Sequence, residues 1–175
     1  ASVPTVTLAW HPGLGRATRL THESADFAEL DADVAHAPAL GEVGAVLSGY
    51  LGDASQASAV ARLVAAVRSR HDGARYLCDP VIGDQGGLFV PATTAAAIRD
   101  TLVPLATILT PNRYELAWLT GSAAADNDAL VAAARTLNLP EVVVTSAFAP
   151  SGETGALLVT PEGATLATHR ALAAA

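Results

Sequence analysis

The sequence contains no lysine: all ten of its basic residues are arginines. None of the 175 residues can therefore supply a Schiff-base amine or the lysine of a Walker-type phosphate loop. Methionine is also absent and the chain opens at Ala1, so the polypeptide is expected to be trimmed or incomplete. The single cysteine, Cys78, excludes an internal disulfide and a cysteine-rich zinc site. It closes an apolar stretch and reads as a small buried hydrophobe. Aromatic residues reach only 5% and charged residues 15%, the latter below the usual share of roughly a quarter. No run approaches the roughly 18 apolar residues of a membrane span, and no basic-then-apolar leader opens the chain. A cytoplasmic protein without a membrane partner is expected. A net charge of −7 and a pI of about 5.0 give no broad support for phosphate-backbone binding. The isolated pair Arg16 and Arg19 makes no basic stripe, so no nucleic-acid partner is expected.

What is present suits one compact domain with a real core, spanning 1–175. "VPTVTLAW" (3–10) reads as a strand followed by the loop "HPGLG". "SADFAELDADVAHAP" fits a helix beginning near Ser24, and "VGAVLSGY" (43–50) has the length of a buried strand. In 53–70, Val60, Leu63, Val64 and Val67 share one helical face, and Asp53 with Gln56 fits a capping box. "ARYLCDP" predicts a strand that must stop at Pro80, and 93–103 a second helix. "ATILTPN" (106–112) is a strand broken by Pro111, "NRYELAWLTG" a short helix stopped by Gly121, and Asp126 a cap for the next helix. Strands at 140–146, 155–160 and 163–169 follow, the last two joined by the turn "PEG". The alternation implies an α/β fold: a doubly wound, mostly parallel sheet with helices on both faces and an antiparallel edge hairpin.

Ligands of such sheets bind beyond the carboxyl ends of the strands. Four unusual stretches fall there: "HPGLG", "SGYLGD", "CDPVIGDQGG" and "TPNRYE". Asp79 reads either as a turn-making side chain or as a carboxylate at the crevice floor, near phosphates held through Mg²⁺. Glu115 is either a first-turn acid favoured by the helix dipole or a partner of the same ion. Asn112 either caps the helix or orients a metal-bound water beside Glu115. Asp84 with its glycines is either a surface turn or part of a flap that closes over a nucleotide.

The segments "GYLGD", "YLCDPVIGD", "GLFVP", "TPNRYELAWLTG" and "VVVTSA" resemble, in order and approximate spacing, the pyridoxal kinases of the ribokinase-like superfamily, from about Val3 to Thr168. "CDPVIGD" together with "TPNRYEL" is the specific part; relatives that phosphorylate hydroxymethylpyrimidine also carry a DPV element. The resemblance implies ATP-dependent phosphorylation of the 5′-hydroxymethyl of pyridoxal, pyridoxine or pyridoxamine, giving pyridoxal 5′-phosphate from pyridoxal. It places Asp79 by the ATP phosphates and has Glu115 help organise Mg²⁺. Thr110 and Thr145 fall in the nucleotide site, and Asp84 to Phe89 in the flap. Tyr50 falls near the pyridine ring, a suitable use of a flat aromatic. A homodimer is implied as well.

The chain departs from that pattern at three places. "WHPG" stands where the family often has Asn-His-Thr-Gly, so the threonine position is Pro12, with His11 and Gly13 the remaining vitamin-side candidates and Trp10 an added ring. An N-terminal strand and the Gly-x-Gly-Asp segment are missing, so the domain is expected to be incomplete at both ends. In the superfamily that aspartate accepts the proton of the attacking hydroxyl and its backbone amides form the anion hole. Without them the chain is expected to be catalytically crippled. The alternatives are a hydroxymethylpyrimidine kinase, or a non-catalytic nucleotide- or vitamin-binding domain that has lost its base.

Overall fold

The computed structural model describes residues 3–8, 18–25, 27, 33 and 43–171. Trp10, His11, Pro12 and Gly13 lie outside the described residues. Strands β1 (Val6–Leu8) and β2 (Arg19–Thr21) pair antiparallel as a small separate sheet. Ser24, Ala25, Phe27 and Asp33 are helical, within the stretch where a helix is expected.

Short apolar runs then build a six-stranded sheet. Its members are β3 (Ala45–Ser48), β4 (Arg75–Cys78), the two-residue β7 (Ile108–Leu109), β8 (Glu141–Ala147), β9 (Glu153–Val159) and β10 (Ala164–Arg170). A second small hairpin, β5 (Gly83–Asp84) with β6 (Gly87–Leu88), stands outside it. The order in the large sheet is β10-β9-β8-β7-β4-β3; the last four are parallel and the β8-β9-β10 steps antiparallel. β4 ends at Cys78, where Pro80 removes the next donor a ladder needs.

The connecting helices are α1 (Ser55–Arg70), α2 (Ala92–Ala97), α3 (Arg113–Thr120) and α4 (Asn127–Thr136). α2 runs on through a π turn at Ile98–Leu102 and a 3-10 turn at Val103–Leu105, where Pro104 lacks a backbone N–H. Val60, Val64 and Val67 are buried along α1 as their spacing predicts. The capping box expected from Asp53 and Gln56 does not form. Asp53 accepts from the Ser55 amide and hydroxyl, Ala54 occupies the cap position, and Gln56 turns away to hold the β1–β2 hairpin.

Parallel strands that advance in one direction through right-handed crossovers keep their helices on one face, so of the two helical layers expected from the sequence the crossover helices α1 to α4 supply one. The burial pattern agrees: Tyr76, Cys78, Leu109, Val142, Val144, Leu157 and Val159 are buried and share that face by register. The described helices supply this layer. The opposite face carries Leu47, 70% exposed, and the Arg75–Glu141 ion pair at 2.6 Å. No described helix is long and apolar enough to cross a membrane.

Candidate active site

Three backbone bonds line up the strand ends. The amide of Asp79 donates to Ser48 O at 2.9 Å, that of Thr110 to Cys78 O at 3.0 Å, and that of Thr145 to Pro111 O at 2.9 Å. Each bond links neighbouring parallel strands at or just past their ladders. Asp79, Thr110 and Asn112 therefore stand just past the carboxyl ends of β4 and β7, with Thr145 beside them in the second half of β8.

The two acids of this row differ in environment. Asp79 is half-buried; burial pushes its carboxyl above the usual range, and the Thr110 hydroxyl, donating to it, pulls it partly back. Glu115 is only 3% exposed. Burial raises it most, the amides of Asn112, Ile82 and Gly83 oppose that, and the nearby Asp79 charge adds a further upward push. The two carboxylates therefore lie within electrostatic reach of one another.

Glu115 and Asn112 are held locally by the start of α3. Asn112 Oδ1 accepts from the Glu115 amide at 2.9 Å and Glu115 Oε2 accepts from the Asn112 amide at 2.8 Å, a reciprocal capping box. Gly121, at φ 70°, stops the helix eight residues on, a backbone angle that favours glycine.

The segment from Asp84 to Phe89 forms the β5–β6 hairpin and its exit. Asp84 Oδ1 accepts from the Gly86 amide at 2.7 Å, so its carboxylate shapes the hairpin tip, and Gly87 takes φ 117°, a glycine conformation. Phe89 is 48% exposed, with its amide donating to Ile82 O at 2.8 Å. Beside the hairpin lies a cleft of about 490 Å³, lined among others by Asp84, Asn112, Tyr114 and Ser146. Ser146 was not legible as a site residue. Its Oγ accepts from the Arg113 amide at 2.9 Å, and the only sequence signal is its place after Thr145 at a strand end.

Tyr50 lies apart from this row, just past β3 and under the β1–β2 hairpin. The Arg19 guanidinium sits 5.2 Å from its ring centroid. Its hydroxyl is buried and makes no hydrogen bond among the described residues. A second cavity, of about 650 Å³, is lined there by Thr5, Phe27, Val46, Ser48 and Tyr50 among others.

No group of three or more His, Cys, Asp or Glu gathers among the described residues. Mg²⁺ needs none, since it keeps several waters and takes one or two carboxylates, often beside phosphates. Half-exposed Asp79 suits that use. Both oxygens of Glu115 already accept backbone N–H bonds.

The family model for phosphomethylpyrimidine kinase matches residues 29–171. The chain belongs to that family. It is 44% identical over 121 residues to a pyridoxal kinase PdxY of Granulibacter bethesdensis, covering 69% of this chain and 42% of that protein. It is also 44% identical over 139 residues to a pyridoxine/pyridoxal/pyridoxamine kinase of Bordetella avium, covering 75% of this chain and 47% of that one. The chain thus spans less than half the length of these two curated relatives. Among solved structures, the pyridoxal kinase of Entamoeba histolytica superposes with a TM-score of 0.86 at 20% identity, over 97% of this chain and 62% of that one. The pyridoxal kinase of Leishmania donovani in complex with ADP gives 0.85 at 24%, over 97% and 61%. The fold is ribokinase-like, as the sequence resemblance implies.

Proposed function

We propose that these residues belong to an ATP-dependent kinase that phosphorylates the 5′-hydroxymethyl of pyridoxal and related B6 vitamers. The observation that carries the reading is the row of Asp79, Thr110, Asn112 and Thr145 across adjacent strand ends, with a glycine-rich hairpin beside it. In this reading the cleft by Asn112 and Ser146 takes the nucleotide phosphates, Asp79 would hold Mg²⁺, and the hairpin from Asp84 to Phe89 excludes solvent. Mg²⁺ supplies neutralisation of charge on the transferring phosphoryl group. Thr110 keeps the Asp79 carboxylate oriented. Tyr50, with His11, Pro12 and Gly13, stands on the vitamin side. The Leishmania donovani enzyme, solved with ADP and pyridoxamine, shows that fold accommodating both ligand classes. A cytoplasmic homodimer accompanies the reading.

The hydroxyl oxygen attacks the γ-phosphorus, ADP departs, and the hydroxyl proton passes to a base. The resemblance assigns that base to a Gly-x-Gly-Asp segment. None occurs in these 175 residues, so the reading covers binding and positioning and assigns no base. The protein expressed from its complete reading frame should convert pyridoxal to pyridoxal 5′-phosphate with Mg·ATP. Asp79→Ala should lower kcat/KM by about 10² or more. The family model favours a second reading, hydroxymethylpyrimidine phosphorylation. A kcat/KM ratio of about tenfold or more in favour of that substrate would replace the B6 assignment.

A further inference from the structure

The turn that follows Asp79 is strained. Val81, a β-branched residue, takes φ 44°, in the left-handed region that favours glycine. Such a conformation persists only where its surroundings over-determine it, and here the surroundings are polar and specific. Glu115 Oε1 accepts from the Ile82 amide at 2.8 Å and the Gly83 amide at 3.4 Å. Asn112 Nδ2 donates to Gly83 O at 2.8 Å. The base of the hairpin is also packed without slack: a Cβ on Gly83 would stand 2.5 Å from Gly87 O and 2.8 Å from Tyr114 Cε1.

We propose that Asn112 and Glu115 form a positioning clasp, fixing the left-handed Val81 turn and the root of the β5–β6 hairpin to the start of α3. Glu115 acts through these backbone groups and binds no metal directly; Asp79 is the carboxylate left to the ion. Three features support this. Glu115 spends both oxygens on backbone N–H donors, a set that only a carboxylate satisfies. Asn112 uses its oxygen on the helix and its nitrogen on the hairpin, so one side chain joins the two. The backbone it holds, Ile82 and Gly83, lies in the chain between Asp79 and the hairpin tip, so the clasp fixes the link that joins the two.

The functional half of this proposal rests on the kinase reading; the clasp itself does not, and the test separates them. In the protein from the complete reading frame, Asn112→Ser retains a helix-cap oxygen but cannot reach Gly83 O. Without nucleotide, amide exchange over 82–88 should accelerate by about 10-fold while 113–120 stays protected. Unchanged exchange over 82–88 overturns the clasp. Glu115→Gln places an N–H against an N–H and should loosen the same segment. It should also raise KM for Mg·ATP while leaving the Mg²⁺ concentration for half-maximal rate within about twofold. A tenfold or larger rise in that Mg²⁺ requirement, with the hairpin still protected, would make Glu115 a ligand and overturn the assignment. Should Glu115→Gln fail to fold, Asn112→Ser alone decides the clasp. Exchange that behaves as expected in a protein that turns over no ATP refutes the kinase reading and leaves the clasp standing.

Discussion

Two short hairpins in this molecule are each tied to a helix start by a buried polar side chain, Gln56 in one and Glu115, beside Asn112, in the other, and the two buried pins are chemically different. The β1–β2 hairpin is held by Gln56, which is 0% exposed. Its Oε1 accepts from the Gly52 amide at 2.9 Å, and its Nε2 donates to Thr5 O at 2.9 Å and His22 O at 2.7 Å. The β5–β6 hairpin is held by Glu115, which meets only donors. One site presents a donor and two acceptors and takes an amide; the other presents three donors and takes a carboxylate. The partners' polarity dictates the side chain. Exchanging N for O at either pin sets like against like.

The largest break in this comparison should come from Gln56→Glu, which drives a fully buried carboxylate against two carbonyl oxygens. A loss of about 3–5 kcal/mol in urea unfolding is expected. Glu115→Gln, which leaves one donor facing a donor, should cost about 1–3 kcal/mol. Equal losses would mean that the sign of the partners is irrelevant and that only packing counts.

A smaller effect sharpens the contrast between the pinned acid and the open one. Burial holds the Asp79 carboxyl above its ordinary range, so the folded state binds this proton more tightly than the unfolded chain. The stability this contributes is full below the unfolded value and is lost as pH rises through the folded one. Asp79→Asn has no such titration. Relative to the parent it should gain stability as pH rises past the ordinary aspartate range of about 4, measured as urea midpoints. A difference that does not move with pH would remove Asp79 from the half-buried environment described.

The smallest effect should be at the open face of the sheet. Arg75 and Glu141 pair at 2.6 Å but remain 48% and 37% exposed. Arg75→Ala should cost about 0.2–1 kcal/mol, shrinking further as salt is raised. A loss near that of Gln56→Glu would place a structural network where only a surface pair is visible.

The strand and helix order was readable because each element carries its own punctuation. Pro80 ends β4, Gly121 ends α3, and Asp126 caps α4 through its bond to the Ala129 amide at 2.8 Å. The strand-end row was readable for the same reason: residues that break an apolar run mark its carboxyl end. The pins were not. Asp53 and Gln56 have the spacing of a capping box, yet Gln56 is drawn to Thr5 and His22, 51 and 34 residues away in sequence. The left-handed Val81 was equally hidden, since a β-branched residue argues against that conformation and only contacts from α3 impose it.

Cys78 closes β4 beside Asp79, with a side chain that is 0% exposed and a thiol pushed up by burial to about 11. Only the thiolate attacks electrophiles, so in the closed protein this atom is both shielded and protonated. No other cysteine competes with it in these residues. The rate at which an alkylating reagent consumes the thiol is therefore a clock for separation of the central strands. Any ligand that settles on the neighbouring carboxylate and resists that separation slows the clock by the factor 1 + [L]/Kd, so occupancy of the crevice can be read without a single turnover.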